Sequence, residues 1–194
     1  MRAFCFVSCG MEETNPWTIT GQRQVYDNNW IGLTEFDVIN GSGGKGIYGK
    51  VNFKNIAIGI VALDEEYNTW LVGQYRFPLD AYSWEIPEGG GPLALEPLDS
   101  AKRELLEETG MTATNWQEIQ RMHLSNSVSD EQAIIYVATG LTMGEAEPEE
   151  TEQLSLRKLP FKDAFNMVMN GEITDCMSVA GIMKTYILIQ EGKI

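Results

Sequence analysis

The chain has 194 residues and a mass of 21.7 kDa, with 43% hydrophobic, 22% charged and 10% aromatic residues, which is globular composition rather than that of a disordered chain. Its formal net charge of -14 and pI near 4.4 argue against direct nucleic-acid binding, where basic side chains must neutralise phosphates. The longest uninterrupted apolar run, Ile56 to Leu63, is strand-sized and falls short of the roughly 18 residues that cross a bilayer.

At the amino terminus, the apolar patch after Met1 and Arg2 is broken by Ser8, Cys9 and Gly10, too early for a secretory leader, so a cytoplasmic protein without membrane or nucleic-acid partners is expected. Three cysteines, Cys5, Cys9 and Cys176, show no paired or ligand spacing, which points to reduced thiols. A zinc site would need them to converge with His123, the only histidine, and that lone histidine reads as structural.

From Gln22 to Phe53, short alternating runs and the turn-rich Asn40-Gly41-Ser42-Gly43-Gly44 predict small antiparallel strands joined by glycine turns. Ile56–Leu63 and Thr69–Tyr75, separated by the polar segment Asp64–Asn68, predict a central hairpin. Further strands are expected at Gln117–Leu124 and Glu131–Thr139. Gln153–Leu159 then leads into a helix over Pro160–Asn170, stopped by Gly171, and a second from about Asp175 to Gln190. The strongest compositional bias is the acidic stretch Gly144–Glu152.

Pro97–Thr109 carries clear helix signals. Proline suits the first helical position and Gly110 supplies a left-handed stop. At about 100° per residue, Leu98, Ala101, Leu105 and Thr109 share one face while Glu104, Glu107 and Glu108 gather on another. Like charges at these spacings repel, a conflict that a bound cation resolves, although a solvated acidic face is the blander reading. Arg103, four residues before Glu107, can orient that carboxylate while the other two face a metal. Upstream, Trp84-Glu85-Ile86-Pro87-Glu88-Gly89-Gly90-Gly91 reads as a strand end passing into a glycine loop. There the chain can approach a ligand closely and the Glu88 carbonyl can ligate a hard metal.

Gly89 followed by Arg103-Glu104-Leu105-Leu106-Glu107-Glu108-Thr109-Gly110-Met111 resembles the Nudix box, G-x5-E-x7-R-E-U-x-E-E-x-G-U with U a bulky apolar residue. One position departs: Leu95 stands where the box has its first glutamate, and Glu96, one residue later, is the substitute. Gln74–Pro78, Trp84–Pro87, Ser129–Glu131 and Gly171–Asp175 resemble the ADP-ribose and nucleoside diphosphate sugar branch of that family.

The resemblance implies an α+β fold: a Nudix α/β/α sandwich with a mixed central sheet over residues 54–194, preceded by a small antiparallel β subdomain over residues 1–53. It implies hydrolysis of the pyrophosphate of ADP-ribose or a related nucleoside diphosphate sugar, with Mg²⁺ or Mn²⁺. A GDP-mannose-type hydrolase is the alternative within the enzyme class, and a non-cleaving sensor is the alternative outside it. Glu104 and Glu108 would be the main metal-ligating carboxylates, with Glu107 beside them, the Glu88 carbonyl completing the shell and Arg103 orienting them. A later loop supplies a base in this branch, for which Glu150 is the choice over Glu152. Substrate-binding residues would be Arg76, Trp30, Tyr48 and Glu85; Arg76 can alternatively form a salt bridge with Glu85. The aromatics Trp30 and Tyr48 would stack the base, in many relatives across a swapped interface, so a homodimer is expected. Where Asn126 stands this branch usually has proline, which leaves the preferred nucleotide sugar open.

Overall fold

The computed structural model describes residues 14–144 and 154–194. In chain order the described elements are β1 (Thr18–Asp27), β2 (Ile31–Ile39), β3 (Lys45–Phe53), β4 (Asn55–Ala62), β5 (Asn68–Arg76), β6 (Ala81–Glu85), β7 (Glu88–Pro92), α1 (Pro97–Thr109), β8 (Met111–His123), β9 (Gln132–Met143), β10 (Ser155–Pro160), α2 (Phe161–Met169) and α3 (Cys176–Gln190).

The expected mixed sheet is present, with strand order β7-β4-β9-β8. β4 runs parallel to β9, Ala57 opposite Ala133 through Ala62 opposite Ala138, and antiparallel to β7. Because side chains alternate along a strand, the sheet feeds two cores. Ile58, Ile60 and Ala62 of β4 join Ile134, Tyr136 and Ala138 of β9 beneath Ala101 and Leu105 of α1. Val61, Ile135 and Val137 point the other way and pack with Met177 and Ile182 of α3. The result is a helix layer on each face of one sheet.

β1, β2 and β3 form a separate antiparallel sheet in that order. The Asn40–Gly44 tract is the β2–β3 turn, with the Asn40 side chain accepting from the amides of Ser42 and Gly44. The β1–β2 turn uses no glycine: Asn28 Oδ1 accepts from the Trp30 amide at 2.9 Å and the Ile31 amide at 2.8 Å, an Asx turn. This sheet is tied to the rest of the chain by Asp130, whose carboxylate accepts from the Phe53 amide at 2.9 Å and Asn52 Nδ2 at 2.8 Å.

Two expectations need correction. β4 and β5 do not form a hairpin; one bridge, Leu63 with Thr69, joins them before β5 departs to a third sheet of order β10-β5-β6. Both edges of β4 are already occupied, by β7 and β9, so β5 has to pair elsewhere. Glu88–Pro92 is a strand, not a loop. Its backbone pairs with β4 from Gly59 opposite Glu88 to Asn55 opposite Pro92, and its glycines reflect crowding. A Cβ on Gly91 would stand 2.7 Å from Ser100 Oγ of α1, and one on Gly89 would strike Glu104 of the same helix, so this face of the strand is glycine because a helix lies on it.

Elsewhere boundaries shift modestly. β8 and β9 are longer than expected because Met111–Thr112 pairs with Thr142–Met143 beyond the apolar stretch. Pro160 is the residue before α2, and Asp175 caps α3 by accepting from the Ser178 amide at 2.7 Å. Among the described residues no helix is long and apolar enough to cross a membrane.

Candidate active site

α1 starts on Pro97 and ends at Gly110, which takes the left-handed conformation at φ 71°. Its Ala101 and Leu105 are fully buried, and the next stripe of the helix puts Glu104 at 8% and Glu108 at 6% exposure. Charged carboxylates are seldom this buried without a counter-charge or a metal. The acidic stripe is therefore not a solvated helix face.

The neighbouring strand β7 shapes what surrounds these two groups. A Cβ on Gly89 would fall inside the van der Waals envelope of the Glu104 carboxylate. The Glu88 amide donates to Glu108 Oε2 at 2.9 Å. Arg103 bridges helix and strand: its Nη1 meets Glu107 Oε2 at 2.5 Å, and its Nη2 meets Glu104 Oε1 at 2.6 Å and donates to the Gly90 carbonyl at 3.0 Å. Arg103 thus holds Glu104 as well as Glu107, one more carboxylate than its spacing suggested.

Beside this lies a second charged group. Arg76, at the end of β5, contacts Glu85 Oε2 at 2.5 Å and Glu88 Oε1 at 2.8 Å. The salt bridge to Glu85 is therefore present, and Glu85 itself is 2% exposed. Burial alone would lower the Arg76 pKa, but the Glu85 and Glu88 charges outweigh it and hold the guanidinium protonated. Burial pushes the Glu88 carboxyl well above the ordinary carboxylate range, helped by the Asp175 and Glu85 charges and opposed by Arg76.

A cleft of about 900 Å³ runs over these groups. It is lined by Glu88, Gly89 and Glu108, by Arg76 and Glu85, by Asp175 and Cys176 at the start of α3, and by the apolar Trp30, Phe53 and Leu124. Trp30, 65% exposed, is therefore available to a flat ligand in the same cleft. Tyr48 is not there. It lines a separate concavity of about 390 Å³ with Trp17 and Phe36, and its hydroxyl donates to the Ser127 carbonyl at 2.6 Å. Leu95 and Glu96 lie in the exposed turn before α1, and Glu96 makes no capping bond through its side chain. Glu150 and Glu152 lie outside the described residues.

Sequence reasoning named Asp175 only as the start of a helix; its cleft position follows from α3 packing on β4 and β9 with Ser178 against Ile86. The one cue was its place in the Gly171–Asp175 segment.

Among the described residues no group of three or more His, Cys, Asp or Glu side chains stands close enough to hold a metal by itself. The donors present are nevertheless those a hard divalent cation takes: the buried Glu104 and Glu108 carboxylates, Glu107 beside them and the backbone oxygens of a glycine strand. The residues fit such an ion by donor chemistry.

The NUDIX domain family matches residues 53–174. An ADP-ribose pyrophosphatase of Mycobacterium tuberculosis is 35% identical over 134 residues, covering 67% of this chain and 64% of that protein. One of Bacillus subtilis is 31% identical over 138 residues, 70% of this chain and 74% of that protein. The chain thus spans just under two thirds of the first relative's length. A solved structure described as an ADP compounds hydrolase superposes with a TM-score of 0.81 over 92% of this chain and 97% of its own, at 19% identity, which establishes the shared fold. The family match covers well over half of the chain and takes in the mixed sheet, α1 and most of the cleft residues, though not Trp30 or Asp175: the chain belongs to the NUDIX domain family.

Proposed function

We propose that this protein hydrolyses the pyrophosphate of ADP-ribose or a related nucleoside diphosphate sugar, releasing a nucleoside monophosphate and a sugar phosphate. The observation that carries the reading is the burial of Glu104 against Gly89 of strand β7 and of Glu108 beside it, with Glu108, Gly89, Arg76 and Trp30 all lining one cleft. The names of the M. tuberculosis and B. subtilis relatives supply the substrate class.

In this reading Glu104, Glu107 and Glu108, with the Glu88 carbonyl, hold Mg²⁺ or Mn²⁺. A bound divalent ion supplies Lewis-acid polarisation of the diphosphate and makes water a competent nucleophile at neutral pH. Arg103 fixes the carboxylates, so little reorganisation is needed on binding. Arg76, held by Glu85, turns its exposed third toward the diphosphate. Trp30 stacks the base. Glu150 is the general base.

Residues 1–53 serve as the dimerisation unit and 54–194 as the catalytic one. Support for a homodimer comes from the apolar surface of the first sheet, where Ile19, Val25, Tyr26 and Ile47 are all about half exposed or more. Sedimentation at two concentrations tests it, and a monomer at both removes the proposal.

The function is tested by product release from ADP-ribose, GDP-mannose, UDP-glucose and a dinucleoside polyphosphate, with Mg²⁺, Mn²⁺ or chelator, for the wild type and Glu108→Gln. Metal-dependent release of AMP from ADP-ribose, abolished in the variant, is the expected result. Tight nucleotide-sugar binding without turnover would make the protein a sensor instead.

A further inference from the structure

The segment that joins Glu85 to Glu88, both cleft residues, changes sheets in two residues. β6 ends at Glu85, paired with Val72 of β5, and β7 begins at Glu88, paired with Gly59 of β4. Ile86 and Pro87 lie between the two ladders, buried. Proline has no N–H to place, but the Ile86 amide and the Pro87 carbonyl both need partners away from water. The Pro87 carbonyl accepts from the Ile60 amide at 2.8 Å. The Ile86 amide donates to Ser178 Oγ at 2.9 Å, a side chain of α3 that is 92 residues distant in sequence and 0% exposed.

α3 is held for this contact from both sides. Asp175 caps it through the Ser178 amide, and one turn on Gly181 sits directly against the core. A Cβ there would meet Ile135 at 3.1 Å, Val61 at 3.2 Å and Ile86 at 3.4 Å. The missing side chain lets the helix come close enough for the Ser178 hydroxyl to reach the crossover. The next residue inside the crossover's far end is Glu88, whose amide donates to Glu108. A rigid path thus runs from α3 through Ile86 and Glu88 to α1.

We propose that Ser178 is a positioning residue for the metal-binding end of the cleft. Its buried hydroxyl locks the Ile86–Glu88 crossover, and through it sets the Glu88 carbonyl relative to Glu108. This rests on the hydrolase reading for its metal but not for its substrate. α3 also carries a built-in control. Thr185, on the same buried face, has a fully buried hydroxyl that makes no hydrogen bond among the described residues, so its loss touches packing without touching the crossover.

The test is Mn²⁺ binding to the substrate-free protein, followed by the paramagnetic resonance signal of the free ion, with metal-free thermal unfolding measured in parallel. Ser178→Ala is expected to weaken Mn²⁺ by about tenfold or more, the range found for groups that orient metal ligands. Thr185→Val should leave it unchanged. Wild-type affinity in folded Ser178→Ala, or equal weakening in both variants, overturns the proposal. If Ser178→Ala does not fold, hydrogen exchange of the wild type decides: the Ile86 and Glu88 amides should exchange as slowly as core amides of β4, and loop-like exchange overturns it. A wild type that binds no Mn²⁺ also overturns it. Mn²⁺ binding without turnover of any nucleotide sugar overturns the hydrolase reading alone.

Discussion

Gly89 and Glu104 occupy each other's space: the strand residue has no side chain, and the helix carboxylate lies where one would be. Glycine here answers a packing demand, since β7 is regular strand and Gly89 has no unusual backbone angle. Gly89→Ala is therefore expected to push the Glu104 carboxylate out of place while the fold survives. The cost in stability should be about 1–3 kcal/mol, as for other overpacked sites. The cost in kcat/KM should be larger, about 100-fold, because displacement of a catalytic group by an ångström has that effect. Turnover near wild type in Gly89→Ala would show that the position of Glu104 does not matter to the reaction.

Arg103 makes three contacts with one guanidinium, to Glu104, Glu107 and the Gly90 carbonyl. Lysine keeps the charge but has a single ammonium that cannot span a fork of this shape. Arg103→Lys should lose about 10- to 100-fold in metal affinity or activity, with the melting temperature nearly unchanged because the side chain is 41% exposed. An equal loss of stability and activity would mean that Arg103 holds α1 on β7 and has no separate effect on the carboxylates.

The sequence made α1 legible in full, from Pro97 to Gly110, because helix signals are local: a proline start, a glycine stop and a periodic apolar stripe. The pairing of β5 was not legible. Its apolar run and the polar turn before it look like half of a hairpin, and only the occupation of both β4 edges by β7 and β9 sends it elsewhere. The same limit explains Tyr48 and Trp30. Both are aromatics of the first sheet, yet the register of β2 and β3 sends Tyr48 toward Ser127, while the Asn28 turn sets Trp30 over the cleft. The contact of Arg76 with Glu85 was nevertheless open to the sequence, although it is made across the β5–β6 pairing.

Arg76 supports two acidic groups that water reaches poorly, Glu85 and Glu88, with side-chain exposures of 3% and 8%. Removing one member of a buried ion pair leaves the other charge uncompensated, which costs about 3–5 kcal/mol. Arg76 is itself 35% exposed, so Arg76→Ala is expected near the lower end, about 3 kcal/mol, by urea unfolding. The double variant Arg76→Met with Glu85→Leu should recover part of that loss, since no buried charge then faces Arg76's position from β6. A double variant less stable than Arg76→Ala would show that Glu85 is stabilised by groups other than the guanidinium.

Asp64 gives a prediction for acid. Its carboxylate closes the β4–β5 turn, accepting from the Asn68 amide at 2.8 Å and the Glu66 amide at 3.0 Å and pairing with Lys158 of β10 at 2.8 Å. Burial acts to raise its pKa, but the Lys158 and Asn68 bonds and the Glu66 amide together overcome this and pull it from 3.8 down to about 2. The folded value lies below the unfolded one, so the unfolded chain takes up the proton first as pH falls. The contribution of Asp64 to stability is then complete above about pH 4 and disappears as pH drops through about 2. Asp64→Asn retains an oxygen for the turn amides but cannot pair with Lys158 as an anion. The wild type should be the more stable of the two at neutral pH, and the gap should narrow between about pH 4 and about pH 2 in urea unfolding series. A gap that stays constant across this range would mean that the turn needs the shape of the side chain and not its charge.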